Sequence, residues 1–292
     1  MSARMHDDEI DIDHNLVHRL LAAQFPQWAA LKLERVRSEG TVNAIFRLGD
    51  HMAVRLPRIP RHQDPADTPS WLAALAPHLP LAIPEPIAVG EPDAGYPWTW
   101  SVLRWLDGER FDLERLEDRC ATAAQFAEFI KALQHIDAKA MPCPPPPAPE
   151  LRDADEAVRR AAEKARGLID TDAFLKAWED ALLVPTWDRE PVLVHRDLGP
   201  GNLLIRDGRL AAVIDWGALA VGDPALDVCY EGLFSGEARA VFRSVMPVDD
   251  DMSRRIRARG LWNVVSVAYY AETNPSMATQ ARQLIAELLR DS

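Results

Sequence analysis

The chain has 292 residues, long enough for one two-lobed domain or two small ones with a sizeable core. Hydrophobic residues at 48% and charged residues at 27% exclude a disordered chain, and a net charge of -12 argues against nucleic acid or an anionic membrane as partner. No apolar run reaches the roughly 20 residues of a membrane helix, the acidic start MSARMHDDEIDID is no signal peptide, and Cys120, Cys143 and Cys229 lack metal-ligand spacing, so a reducing cytoplasmic location is expected.

Asp13 is placed to cap a helix whose apolar residues Leu16, Val17, Leu20 and Leu21 share one face and which closes near Phe25-Pro26. Leu31, Leu33 and Val36 predict a strand, followed by the small-residue stretch Ser38 to Asn43 and a hairpin of strands 44–48 and 52–56 turning at Gly49-Asp50. By itself the loop holding Gly40, Thr41 and Asn43 reads as an ordinary turn; in a nucleotide-binding lobe it would cover phosphates with backbone N–H groups, Gly40 allowing close approach. Arg55 stands in the middle of the third strand, where a planar guanidinium suits two phosphate oxygens. Thr68-Pro69 opens a short helix through Trp71, Leu72 and Leu75 that holds no acid for Arg55, leaving Asp64 or Asp67 ahead of it.

Strands at 87–89 and 100–103 precede Arg104-Trp105-Leu106, a stretch able to offer the carbonyl of Arg104 and the N–H of Leu106 to a nucleotide base. Beyond Arg110 the periodicity turns helical at 121–138, passes through the proline-rich connector 142–149, and resumes at 154–167 and 171–183. Helical patterns return near 224–242, 252–271 and 277–289. Strands in the first third and helices in the rest predict an α+β fold.

Val192 to Val194 is a short buried strand that delivers His195-Arg196-Asp197-Leu198-Gly199-Pro200-Gly201-Asn202, which fits the H-R-D-L-x-x-x-N catalytic-loop pattern of kinases at every specified position. The next two apolar runs join through Asp207-Gly208, a turn tolerant of positive φ. With Arg206 opposite Arg209, Asn202 is expected opposite Val213 and diagonal to Asp215, about 7 to 8 Å away at the backbone. An amide oxygen and a carboxylate so placed can close on one Mg2+ ion. Asp197, just before them, suits orienting a hydroxyl and receiving its proton. His195 reads as a packing residue, and Asp223-Pro224 as a helix start capped by Asp223. Asp227 either braces the catalytic loop or faces substrate, and Glu231, Trp262 and Tyr269 are further pocket candidates.

The segments Gly40 to Asn43, Arg55-Leu56-Pro57, Tyr96 to Ser101, His195 to Asn202, Ile214-Asp215-Trp216-Gly217 and Gly222 to Asp227 together resemble the aminoglycoside phosphotransferase family of small-molecule kinases. The resemblance implies a bilobal protein-kinase-like fold, with a small N-terminal antiparallel-sheet lobe at 1–106 and a larger, mainly helical C-terminal lobe at 107–292. It implies that Asp197 is the catalytic base, that Asn202 and Asp215 hold Mg2+, and that Arg55 contacts the α/β phosphates of ATP or GTP. It also implies that Arg104 and Leu106 hold the nucleotide base through their backbone. Arg196 stands where such proteins commonly carry a small residue, Gly199 where His is common, and Trp216 where Phe is common. Almost no chain separates Asp215 from Asp223-Pro224 and no Ala-Pro-Glu follows, so a protein substrate is not expected. The expected activity is transfer of the nucleotide γ-phosphate to a hydroxyl of a small molecule, an aminoglycoside-like or other antibiotic. The alternatives are a kinase of a choline-, sugar- or homoserine-like metabolite and a non-catalytic nucleotide-binding module.

Overall fold

A computed structural model describes residues 10–36, 43–59, 67–272 and 275–290. The chain divides into two compact units, one of Met1–Gln125, Ile136–Pro144 and Asp197–Ala218, the other of Phe126–His135, Pro145–Arg196 and Leu219–Ser292. In chain order the elements are α1 (His14–Gln24), β1 (Leu33–Arg35), β2 (Asn43–Leu48), β3 (Met52–Pro57), α2 (Asp67–Leu75), β4 (Pro86–Gly90), β5 (Trp100–Arg104), β6 (Glu109–Arg110) and α3 (Arg119–His135). They continue with α4 (Asp155–Lys164), α5 (Thr171–Leu182), β7 (Val192–Val194), β8 (Leu203–Arg206), β9 (Arg209–Val213), β10 (Ala220–Gly222) and α6 (Ala225–Val228). The last four are α7 (Gly236–Val245), α8 (Asp250–Leu261), α9 (Val264–Tyr270) and α10 (Pro275–Arg290).

The first unit is built on a five-stranded antiparallel sheet of order β1-β2-β3-β5-β4. The carboxylate of Asp13 accepts the N–H of Leu16 at 2.7 Å, as expected of the cap, and α1 buries Leu16, Val17, Leu20 and Leu21. These join Phe46, Leu48, Val54, Leu56 and Val102 from the sheet in one core, where each large apolar side chain contributes about 1.5–3 kcal/mol. Alternate positions of the strands supply that face because successive side chains point to opposite sides.

Gly90 ends β4 against Trp100, which is 1% exposed. A Cβ at Gly90 would lie 2.1 Å from Cε2 of that ring, and the ring has packed neighbours behind it. Gly90→Ala is therefore expected to destabilise the protein by about 1–3 kcal/mol through overpacking. The check is a lower urea midpoint at unchanged m.

The second unit is mainly helical, with β7 and β10 paired antiparallel. Its core joins Val158, Ala161 and Ala162 of α4, Phe174 and Trp178 of α5, and Leu261, Val264, Val267 and Ile285 from the last three helices. Trp178 Nε1 donates to Asp155 at 2.8 Å, and this bond with Arg159 holds the Asp155 carboxyl below its ordinary value. The helical pattern expected at 224–242 is interrupted: α6 ends in a tight 3-10 turn, Phe234 is extended, and α7 restarts at Gly236 with φ 55°. The pattern at 252–271 likewise breaks at Trp262-Asn263 between α8 and α9. Strand β10 is too short to show a period of its own and exists through its pairing with β7. Among the described residues no helix is long and apolar enough to cross a membrane.

Candidate active site

The β8-β9 hairpin positions the metal candidates. Its turn, Asp207-Gly208, has φ 51° and 70°, the left-handed pair that matches the twist of a two-residue hairpin. Arg206 opposes Arg209 as expected, and Ile205 opposes Leu210. Leu204, however, opposes Ala212, so Ala211 is an extra residue on β9. The bulge is pinned from outside: Ala82 N–H donates to Ala211 O at 3.3 Å, and Val213 N–H donates to Ala82 O at 2.9 Å.

The bulge corrects the expected register. Leu203, not Asn202, opposes Val213, while Ile214 N–H donates to Asn202 O at 2.9 Å. Asp215 thus comes one residue after the partner of Asn202. Its backbone is left-handed, with φ 61°, a conformation that costs a non-glycine residue about 1–3 kcal/mol and recurs at functional sites. Trp216 next to it is buried, and its Nε1 donates to Val213 O at 3.1 Å, so the indole finds an acceptor where a Phe would need none.

Asn202 Nδ2 donates to the backbone carbonyl of Asp197 at 2.9 Å. That bond uses the amide nitrogen and leaves Oδ1, an acceptor only, as the atom that could ligate a cation. The side chain of Asp197 itself is exposed on the loop. Arg55 lies between Ile45 of β2 and Ser101 of β5, is 8% exposed, and brings Nη2 to 3.5 Å from Asp215 Oδ1. Arg55 therefore meets its acid at Asp215, whereas Asp67 begins α2 and Asp64 lies outside the described residues. Arg55, Asp197, Asn202 and Asp215 all belong to the first unit.

The donor chemistry suits magnesium: an amide oxygen and a carboxylate are hard ligands, and this ion usually takes only one or two carboxylates plus water and phosphate oxygens. Among the described residues no three His, Cys, Asp or Glu side chains converge as a fuller protein cage. At 3.5 Å the Arg55 contact is long for a charge-assisted bond, so it holds Asp215 only weakly.

In the second unit, the strand leading to the loop is clamped. Asp227 is fully buried; its Oδ2 accepts the N–H of His195 and its Oδ1 that of Arg196, both at 2.7 Å. Tyr230 donates its hydroxyl to Arg196 O at 3.3 Å. Arg196 needs this support, because its φ is 71°. His195 is fully buried, the surroundings of a packing residue. Of the two readings open for Asp227, the geometry favours bracing the loop over facing substrate.

Glu231, a substrate candidate from the sequence, is engaged by Arg243, which donates to both its oxygens at 2.6 and 2.7 Å and whose pKa is raised by the pairing. Trp262 packs against the helical core, and Tyr269 carries Lys164 over its ring at 4.0 Å. Asp223 accepts the N–H of Ala225 at 2.9 Å, as a cap should, and adds an ion pair with Arg255 at 3.2 Å that the sequence did not announce.

Asn43 opens β2 with its Oδ1 buried and without a donor among the described residues. Gly40 and Thr41 lie outside the described residues. Arg104 ends β5 with its side chain on Glu85 at 2.9 Å, and Leu106 follows half-buried. Tyr230 and the Ala82–Ala212 bridge escaped sequence reading, since neither has a local signature.

The model of the phosphotransferase enzyme family matches residues 34–262. No curated protein matches the sequence. Among solved structures, the GDP complex of wild-type aminoglycoside 2'-phosphotransferase-IIIa superposes with a TM-score of 0.74 at 21% identity, covering 95% of this chain and 99% of that one. Macrolide 2'-phosphotransferase MphH from Brachybacterium faecium gives 0.60 at 22% identity over 94% and 98% of the two chains. The streptomycin-ATP-APH(2")-IIa ternary complex gives 0.58 at 17% identity over 96% and 97%. The fold is thus the kinase-like one of these enzymes, and the chain, matched over most of its length, belongs to the aminoglycoside phosphotransferase family.

Proposed function

We propose that the protein is a magnesium-dependent O-phosphotransferase that moves the γ-phosphate of ATP or GTP to a hydroxyl of a small molecule, an aminoglycoside-like or other antibiotic. The observation that carries this reading is the bond from Asn202 Nδ2 to the Asp197 carbonyl, which ties the proposed base's backbone to a proposed metal ligand. Asp197 orients the acceptor hydroxyl and takes its proton. Arg55 holds phosphate oxygens through its guanidinium fork. Asn202 and Asp215 would hold magnesium, which when bound neutralises phosphate charge. Asp227 and Tyr230 are positioning residues that act through the backbone of the loop.

In this reading Asn43, with Gly40 and Thr41, covers the phosphates, Arg104 and Leu106 hold the base by backbone groups, and the lobes meet at 106/107. The neighbours support the substrate class: one was solved with GDP and kanamycin, another with streptomycin and ATP, and others are macrolide phosphotransferases.

The experiment is incubation of purified protein with magnesium and γ-labelled ATP or GTP against aminoglycosides and macrolides. Label is expected on at least one compound. Arg55→Gln should raise the nucleotide KM about tenfold or more, for a lost charge-assisted contact of about 1.5–3 kcal/mol. Nucleotide binding with no labelled compound overturns the antibiotic assignment.

A further inference from the structure

The second unit holds a cavity of about 260 Å3 that none of Arg55, Asp197, Asn202 and Asp215 lines. Its wall comes from the proline-rich connector, the end of α5, the loop through Trp187, β10 and one side of α8. Arg152, Arg189, Arg255 and Arg259 reach it, against only Glu150 and Asp223. A basic pocket is unexpected in a chain of net charge -12.

The arginines are arranged rather than scattered. Arg255, 8% exposed, holds Asp223 at 3.2 Å and lies over the Trp187 ring at 5.2 Å. Arg189 approaches the same ring, at 5.3 Å. Asp223 is paired with Arg255, so its field, and not an ion-pair contact, is what acts on Arg259. That side chain donates Nη1 to the carbonyl of Pro149 at 3.1 Å, and among the described residues it forms no ion pair. Burial pulls Arg259 below the ordinary guanidinium range, with Asp223 and other groups only partly opposing it. A half-buried cation with one carbonyl partner has unused donors, and guanidinium forks match carboxylate and phosphate geometry.

We infer that this cavity binds a small organic oxyanion, a carboxylate or phosphate monoester with an apolar body, with Arg259 as its principal ion-pair partner. Its volume has room for roughly nine waters at about 30 Å3 each, which suits a single-ring compound better than a nucleotide. Leu151, Ala181, Leu182, Val184 and Val221 line it as well and favour an apolar body over a bare inorganic ion.

Isothermal calorimetry with phenyl phosphate and benzoate as probes tests the site, with and without saturating ADP. At least one probe is expected to bind with one-to-one stoichiometry, equally well in the presence of ADP, and at least tenfold more weakly to Arg259→Gln. The preferred probe tells phosphate from carboxylate. Absence of binding by both probes, loss of binding when ADP is added, or full affinity in Arg259→Gln overturns the assignment. Should Arg259→Gln fail to fold, Arg189→Gln at the exposed rim replaces it; severalfold weaker binding supports the site and unchanged affinity overturns it.

Discussion

Asp197→Asn is expected to lower turnover by about a hundred- to ten-thousandfold, the usual contribution of a positioned general base. Asparagine keeps the size of the side chain and one acceptor oxygen, so the acceptor hydroxyl can still be oriented, but the amide cannot take its proton. The bond from Asn202 uses the main-chain carbonyl of residue 197 and survives the change. Arg55, Asn202 and Asp215 are untouched, so nucleotide affinity by calorimetry should stay near wild type. Such a split, with turnover lost and binding kept, marks a group that acts in the transition state. Unchanged turnover would remove Asp197 from the chemistry.

The second large effect is expected at Asp227. Both its oxygens accept backbone N–H groups, one in a buried and one in a part-buried setting, so Asp227→Ala removes both bonds. With the buried bond to His195 lost, the expected destabilisation is about 1–3 kcal/mol. Arg196, the second of those donors, has φ 71° and relaxes once its acceptor is gone. Turnover should then fall with stability, while nucleotide affinity changes less. Asp227→Asn keeps one oxygen and should recover part of the stability. Urea unfolding and steady-state kinetics on both variants provide the check; a stable, fully active Asp227→Ala would sink the bracing role.

What could be read from the sequence was local. The Asp13 cap and the Asp207-Gly208 turn depend on neighbours within a few residues, and the structure places both where expected. What could not be read depends on partners far along the chain. Ala211 is extra in β9 because residue 82 bonds its carbonyl, and no periodicity within 203–214 reports a contact made 129 residues away. That single residue moved Asn202 from Val213 to Ile214. For Arg55 the sequence offers Asp64 or Asp67 ahead of the next helix, whereas the carboxylate nearest its Nη2 is that of Asp215, 160 residues on, at 3.5 Å. Asp227 left two readings open because a carboxylate looks alike in sequence whether it faces solvent, ligand or a pair of N–H groups. The cavity arginines come from three separate segments and share no spacing.

One covalent step separates Asp197 from Arg196, whose N–H and C=O are both fastened to side chains just beyond Pro224. The backbone just ahead of the proposed base is thus fastened by two side chains that the proposed mechanism gives no contact with a reactant. Substitutions elsewhere that leave Asp227 and Tyr230 in place should therefore leave the backbone of residue 196 in its left-handed conformation.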